Sequence, residues 1–243
     1  MSNRRTVLVL ANEADQDTGL VGDRLREHGY ELRVVIREQP GRLPDPRDHD
    51  VVISLGSAWS TYWKDAAAAV VRETQALQAA AAAEVPMLGI CFGSQLVAAA
   101  LGGTVGRASE LEVGWTAVAT DEPELVGPGP WFQWHGDSWT APPGARVVAR
   151  TAVCAQAFTL GRTLAVQFHP EVTPEVVERW AREDPRSLTA AGVDPDTLLA
   201  TTRRLADAAR SRAAALVDAF LERCVGTAAA PGAAAGASRP LEG

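Results

Sequence analysis

The chain has 243 residues and 47% hydrophobic residues, enough for a large core in one α/β domain or two small domains. Its 23 basic and 30 acidic residues give a net charge of −7, and without a basic cluster non-specific binding to duplex DNA is not expected. No run approaches the roughly 18 apolar residues of a membrane span, and the three cysteines are too few and too scattered for a disulfide framework or a zinc site.

The amino terminus predicts a first β-strand rather than a signal peptide. Its apolar stretch, residues 6–11, is shorter than a signal peptide requires and has no cleavage site after it. We therefore expect the protein to reside in a reducing cytoplasm.

The first half of the chain alternates short apolar runs with helical patterns. The predicted strands are residues 6–11, 31–36, 50–55 and 86–90, and the predicted helices are residues 17–29 and 64–83. Runs that are apolar throughout are typical of strands buried on both faces. This order predicts a doubly wound, mostly parallel sheet with helices on both faces.

The second predicted helix carries an apolar stripe at spacings of three and four residues. We expect this stripe to face the core. Its members are Trp63, Ala67, Val70, Thr74, Leu77 and Ala81.

The second half of the chain predicts strands without long helices between them, as in an antiparallel extension of the sheet. These strands are residues 115–120, 145–151, 154–158 and 163–168. A last helix, about 195–224, is expected to bury Cys224. We assign residues 1–226 to one domain and expect the Ala/Gly/Pro-rich residues 227–243 to form a disordered tail.

Cys91 stands between two glycines at the end of a predicted strand. The segment Gly89-Ile90-Cys91-Phe92-Gly93 is the cysteine form of the G-x-S-x-G pattern, and a helix is predicted to follow over residues 94–103. In a nucleophile elbow a sharp turn strains the nucleophile's backbone, and side chains at the flanking positions would collide with the strand and helix. The amino end of the helix favours the thiolate. A buried structural cysteine, which is common in strands, requires none of these features.

A cysteine nucleophile needs a base from elsewhere in the chain. The histidines are His28, His49, His135 and His169. We interpret His28 and His49 as solvated. His169 ends a predicted strand, and Glu171, two residues later, projects to the same side. Glu171 could then orient the imidazole toward Cys91, whereas a satisfied surface histidine before a proline is the simpler interpretation of His169 alone.

Three motifs, in order, resemble the class I glutamine amidotransferases, and most of all the glutaminase domain of GMP synthase and its stand-alone homologues. They are GICFGSQ (89–95), WHGD (134–137) and VQFHPEVT (166–173), with weaker matches at 100–105 and 112–115. The resemblance extends from the first strand to about residue 180. It implies a flavodoxin-like fold.

The resemblance also implies roles for individual residues. Cys91 is the implied nucleophile, His169 the base and Glu171 the third member of the triad. Gln95 is implied to hold the substituents of the glutamine α-carbon. The stretch His135-Gly136-Asp137 is implied to form a turn lining the same pocket.

These roles imply hydrolysis of the side-chain amide of L-glutamine through a thioester. The oxyanion donors are expected to be the backbone N–H groups of Phe92 and Gly56. This half-reaction needs no metal or organic cofactor.

The loop after the third strand departs from the family pattern. The family usually has Gly-Gly-Pro there, whereas this chain has Leu55-Gly56-Ser57. Trp59, Tyr62 and Trp63 add aromatic bulk, either as an exposed docking surface or as part of the core. The chain also has neither the nucleotide loop of the synthases nor a P-loop pattern.

Three functions remain open. The first is a glutaminase that feeds ammonia to a separate synthase, the second is a hydrolase of γ-glutamyl amides or peptides with the same triad, and the third is a non-enzymatic regulator. The complete set Cys91, His169 and Glu171 argues against the third, and the motifs at 134–137 and 166–173 favour the first.

Overall fold

A computed structural model describes residues 5–226. The fold is built on one large sheet and a smaller, two-stranded hairpin. The strands are β1 (Thr6–Ala11), β2 (Glu31–Ile36), β3 (Val51–Ser54), β4 (Met87–Ile90), β5 (Thr104–Thr116), β6 (Ala119–Thr120), β7 (Trp131–Thr140), β8 (Arg146–Arg150), β9 (Ala155–Leu160) and β10 (Thr163–Val166). The helices are α1 (Gly19–Glu27), α2 (Ala67–Ala82), α3 (Phe92–Ala100), α4 (Pro174–Glu183), α5 (Pro185–Ala191) and α6 (Pro195–Phe220).

The large sheet has eight strands in the order β2-β1-β3-β4-β10-β9-β8-β6. The first five are parallel, and β9, β8 and β6 extend the sheet in antiparallel pairs. The predicted doubly wound, mostly parallel sheet with an antiparallel extension is therefore confirmed.

Helices cover both faces of this sheet. On one face, α1 and α6 pack against alternate residues of the central strands through side chains such as Leu25 and Phe220. Cys224, in a turn that continues α6, is buried in the same layer, as predicted. On the other face, α2 and α3 bury side chains such as Leu77 and Leu96. Among the described helices, none is long and apolar enough to cross a membrane.

The predicted stripe on α2 is correct at Leu77 and otherwise mostly one position out of phase. The buried positions of α2 are Ala69, Glu73, Leu77 and Ala80, whereas Trp63 and Ala67 are exposed. The apolar pattern missed the centre of the buried face because a fully buried carboxylate, Glu73, lies there.

The long hairpin of β5 and β7 corrects two predictions. The predicted strand 115–120 is interrupted: its first two residues end β5 and its last two form β6. Residues 135–137 lie in the middle of β7 rather than in a turn. The inward-facing positions of β7 include Gln133, His135 and Asp137. An alternation of buried polar residues carries no hydrophobic signal, so the strand was not predicted.

The segment after His169 contains two helices that were not predicted, α4 and α5. The Thr173 hydroxyl accepts from the Val176 N–H, and Pro174 follows at the first helical position. Helix α6 begins at Pro195, as predicted. The predicted tail at 227–243 lies outside the described residues.

Candidate active site

Cys91 occupies a strained turn between β4 and α3. Its φ of 50° and ψ of −112° lie in a region that L-residues rarely adopt, and its residue surface is only 4% exposed. A Cβ atom at Gly93 would lie 1.9 Å from the Ser54 carbonyl oxygen, and one at Gly89 would lie 2.9 Å from the Gly93 oxygen. Both flanking glycines are therefore required by close backbone approach, as an elbow demands.

His169 and Glu171 form a buried pair beside this turn. His169 Nδ1 lies 2.7 Å from Glu171 Oε1, and the two side chains are 4% and 7% exposed. Among the described residues, His169 Nε2 has no hydrogen-bond partner. A Cβ atom at Gly56 would lie 2.9 Å from His169 Cε1 and 3.6 Å from Cys91 Cβ, so the imidazole and the cysteine flank the same glycine.

The environment of His169 favours the imidazolium. Burial lowers the pKa of His169, but the charges of Glu171 and Cys91 and the hydrogen bond to Glu171 prevail and hold it well above its usual value. A carboxylate that binds Nδ1–H also fixes the tautomer in which Nε2 is free to exchange a proton.

The backbone of Glu171 is fixed by the start of α1. The Leu20 N–H donates to the Glu171 carbonyl oxygen at 2.9 Å. A Cβ atom at Gly19, where φ is +45°, would lie 1.9 Å from the same oxygen. Only glycine permits this contact, which fixes the backbone of the residue predicted as the third member of the triad.

Two groups lie close to the Cys91 sulfur. Gln167 Nε2 donates to Sγ at 3.7 Å, and the carbonyl oxygen of Trp134 lies 3.9 Å from Sγ. An amide donor at this distance stabilises negative charge on sulfur. Gln167 lies within the motif at 166–173, but the motif implies no role for it.

The other cysteines are unsuited to nucleophilic attack. Burial raises the pKa of Cys154 to about 12 and that of Cys224 to about 11. A thiol with such a pKa is protonated at neutral pH, and the thiolate is the reactive form.

The predicted substrate contacts meet around the Asp137 backbone. Gln95 Nε2 donates to the Asp137 carbonyl oxygen at 3.4 Å, and His135 Nδ1 lies 3.0 Å from the same oxygen. Gln95, His135 and Gly136 line the cavity that contains Cys91 and His169. The structure therefore brings all the predicted substrate contacts to one place.

The Asp137 carboxylate binds the loop that follows Gly56. Its Oδ2 accepts from Ser60 Oγ at 2.5 Å, and its Oδ1 accepts from the Tyr62 hydroxyl at 2.8 Å. The loop aromatics are divided in their environment: Trp59 packs edge-on against Phe92, whereas Tyr62 and Trp63 are about half exposed. The interpretation as core thus applies to Trp59, and the interpretation as an exposed surface applies to Tyr62 and Trp63.

The cavity has a volume of about 790 Å³ and extends well beyond Cys91. Residues of α4, of α5 and of the link between them also line it, including Trp180 and Asp184. Trp180 packs edge-on against His169, with ring centroids 4.8 Å apart. No sequence motif marked these residues, because their part in the site depends on the two unpredicted helices.

One cluster contains side chains of metal-ligating type. Glu112 Oε2, His135 Nε2 and Cys154 Sγ lie within 4.8 Å of one another. Glu112 Oε2 already accepts from Gln156 Nε2 at 2.8 Å and from the Thr151 hydroxyl at 3.2 Å. These contacts make the cluster a hydrogen-bonded support for His135, between the hairpin and β9.

Comparison with protein families identifies the chain's type. The model for glutamine amidotransferase class-I matches residues 12–180. GMP synthase [glutamine-hydrolyzing] from Aeropyrum pernix is 36% identical over 178 residues, which are 66% of this chain and 33% of that protein. The protein of the same name from Parafrankia is 48% identical over 101 residues, which are 37% of this chain and 19% of that protein. The chain thus spans about a fifth to a third of the length of these curated relatives.

Solved structures agree with this comparison. A glutamine amidotransferase from Thermotoga maritima has a TM-score of 0.79 and 28% identity, covering 92% of this chain and 99% of that one. A glutamine amido transferase from Methylobacillus flagellatus, at 23% identity, shares the fold with a TM-score of 0.81 over 92% of this chain and 96% of that one.

Proposed function

Because this chain belongs to the class-I glutamine amidotransferase family, we propose that it hydrolyses the side-chain amide of L-glutamine through a thioester on Cys91. The observation that carries the proposal is the strained Cys91 turn beside the buried pair of His169 and Glu171. A structural cysteine would not need a positive φ, two obligatory glycines and an adjacent histidine with a free nitrogen.

The first step is attack by the Cys91 thiolate on the amide carbon. A carbon–sulfur bond forms and the carbonyl π-electrons move to oxygen, where the N–H groups of Gly56 and Phe92 are the proposed donors. His169 gives its Nε2 proton to the amide nitrogen. The carbon–nitrogen bond then breaks, releasing ammonia and leaving the γ-glutamyl thioester.

The second step is hydrolysis of this thioester. Neutral His169 takes a proton from a water molecule, and the resulting hydroxide adds to the carbonyl carbon. The carbon–sulfur bond breaks, so the Cys91 thiolate leaves and is restored beside the imidazolium, and the product loses its carboxyl proton to solvent as glutamate. Glu171 compensates the imidazolium charge in the resting enzyme.

We propose further that a partner synthase consumes the ammonia. The curated relatives carry the name GMP synthase [glutamine-hydrolyzing], and this chain aligns with only a fifth to a third of their length. The three cysteines are free, as is usual in a reducing compartment, which supports the expected cytoplasmic location.

A hydrolase of γ-glutamyl amides is the second candidate. The cavity of about 790 Å³ is larger than a single amino acid requires, and its lining includes charged and aromatic side chains besides the predicted glutamine contacts, among them Asp184, Arg186 and Trp180. A substituent on the amide nitrogen would extend toward these residues.

Ammonia release distinguishes the two functions. Purified protein is supplied with glutamine or with γ-glutamyl amines, and ammonia, free amine and glutamate are measured. Glutaminase activity predicts ammonia and glutamate in equal amounts from glutamine, with activity lost in Cys91→Ala and kept in Cys224→Ala. Faster turnover of the substituted amides would favour the second candidate, and no Cys91-dependent product from either would contradict both.

A further inference from the structure

A buried ion pair lies directly beneath the active-site turn. Arg37, at the end of β2, and Glu73, on α2, have side chains that are each 1% exposed, and Arg37 Nε lies 3.0 Å from Glu73 Oε2. Glu73 Oε1 also accepts from the Ser54 hydroxyl at 2.6 Å. Burying two charges is costly, and such a pair is often no more stabilising than apolar residues of similar volume. Its presence next to the site therefore needs a further explanation.

The Arg37 guanidinium binds backbone carbonyls at the carboxyl ends of two strands. Its Nη2 donates to the Leu10 oxygen at 2.8 Å and to the Leu55 oxygen at 3.1 Å, and its Nη1 donates to Asn12 Oδ1 at 2.8 Å. Arginine can hold several acceptors at once because its donors form a rigid planar fork.

The contact with Leu55 fixes the orientation of the next N–H group. The Leu55–Gly56 peptide is trans, and in a planar trans peptide the carbonyl and the following N–H point in opposite directions. Since the Leu55 oxygen points to Arg37, the Gly56 N–H points away from the guanidinium. Gly56 itself adjoins Cys91 and His169.

The same guanidinium also contacts the residue after the nucleophile. Arg37 Cζ lies 4.9 Å from the centroid of the Phe92 ring, a cation–π distance. One side chain thus touches the residue of each proposed oxyanion donor, Phe92 directly and Gly56 through its shared peptide.

From these contacts we infer that Arg37, held by Glu73, is a positioning residue that fixes both donors of the oxyanion hole. Arg37 makes no contact with substrate in this role. Its effect appears only where negative charge develops on the substrate oxygen. The inference rests on the proposed acyl-transfer function, and it applies equally to glutamine and to γ-glutamyl amides, because both pass through the same oxyanion.

The primary test is Arg37→Lys, which keeps the charge but loses the fork. Loss of one oxyanion donor typically lowers kcat by 10²–10³-fold, so partial misplacement should lower kcat by roughly 10- to 100-fold with little change in KM. The aldehyde analogue of the substrate, glutamate γ-semialdehyde, is expected to form a thiohemiacetal with Cys91 whose oxygen would occupy the same hole. Its affinity should fall by a similar factor.

A double variant separates function from folding. Arg37→Met with Glu73→Met replaces the pair by apolar side chains, which proteins often tolerate without loss of stability. We expect this variant to fold and still to have a lower kcat and a lower affinity for the aldehyde than the wild type. Leu77→Ala, one turn beyond Glu73 on α2, is the control: it should lower the melting temperature but leave kcat unchanged.

The outcomes are distinct. A folded Arg37→Lys or double variant with wild-type kcat and wild-type aldehyde affinity would overturn the inference and leave Arg37 a structural residue. A wild-type protein that turns over neither glutamine nor γ-glutamyl amides would contradict the proposed function instead. In that case, a comparison of aldehyde affinity between the wild-type and variant proteins still tests whether Arg37 positions the oxyanion hole.

Discussion

The charge of the candidate site depends on whether His169 is protonated. Its raised pKa means that folding stabilises the imidazolium. A group whose pKa is higher in the folded state stabilises the fold fully below its unfolded pKa, about 6.5, and loses this contribution as the pH rises through the folded value.

We therefore expect the pH dependence of unfolding to change in His169→Gln. The free energy of unfolding, measured in urea from about pH 6 to about pH 10, should favour the wild type most at the acidic end, and the difference from the variant should shrink as the pH rises. A difference that stays constant or grows with pH would contradict the assignment of a protonated His169.

Tyr62, together with Ser60, binds the loop after Gly56 to Asp137 in the candidate substrate pocket. Tyr62→Phe removes the hydroxyl that donates to Asp137, so we expect KM for glutamine to rise roughly 3- to 10-fold, which corresponds to about 1 kcal/mol, with a smaller change in kcat. Tyr30→Phe, which alters a hydroxyl bonded to Arg5, is the matched control. Equal effects of both variants would mean that the Asp137 contact has no part in binding.

At the residue scale, the sequence predicted the site residues that lie in motifs of fixed spacing. Cys91, His169 and Glu171 were predicted because the elbow pattern and the i, i+2 spacing have a direct geometric meaning. Arg37 and Trp180 were not, since each reaches the site from an element whose placement no local pattern reveals.

The elbow between β4 and α3 depends on backbone contacts rather than on side-chain packing. Gly93→Ala would place a Cβ atom 1.9 Å from the Ser54 oxygen. We expect it to lower the free energy of unfolding by at least about 1–3 kcal/mol and to reduce activity. Gly106→Ala is the control, because a Cβ atom there meets nothing within 4 Å. Similar denaturation midpoints for the two variants would show that the turn can relax.

At the element scale, parallel strands were predictable and the hairpin was not. Buried strands such as β3 are apolar throughout, so their pattern is visible in the sequence. Strand β7 instead buries Gln133, His135 and Asp137 toward the site. On α2 the buried Glu73 lies one position from the predicted stripe, which is correct at Leu77. In these elements, polar or ionic side chains occupy buried positions where a hydrophobic pattern would place apolar residues.

For the whole molecule, the order of the three motifs was enough to predict the family and its fold. The size and shape of the cavity were not predictable, because α4 and α5 close it from a distant part of the chain.

Release of ammonia into solvent wastes glutamine, so we expect the isolated protein to be slow and a synthase with its activated acceptor to accelerate it. Turnover should be measured with and without this partner. Trp63, about half exposed at the cavity, is expected to contact the partner, so Trp63→Ala should lower the stimulated rate more than the basal rate. Fast turnover that no synthase increases would instead indicate a free-standing hydrolase.

Detection of the thioester tests the central claim most directly. Protein mixed with glutamine is quenched in acid within the first turnovers, digested and analysed by mass spectrometry for a γ-glutamyl group on each cysteine. We predict the adduct on Cys91, its removal by hydroxylamine, and neither adduct nor ammonia release in Cys91→Ala. Ammonia release that persists in Cys91→Ala, or an adduct found on Cys154 or Cys224 instead, would contradict the account.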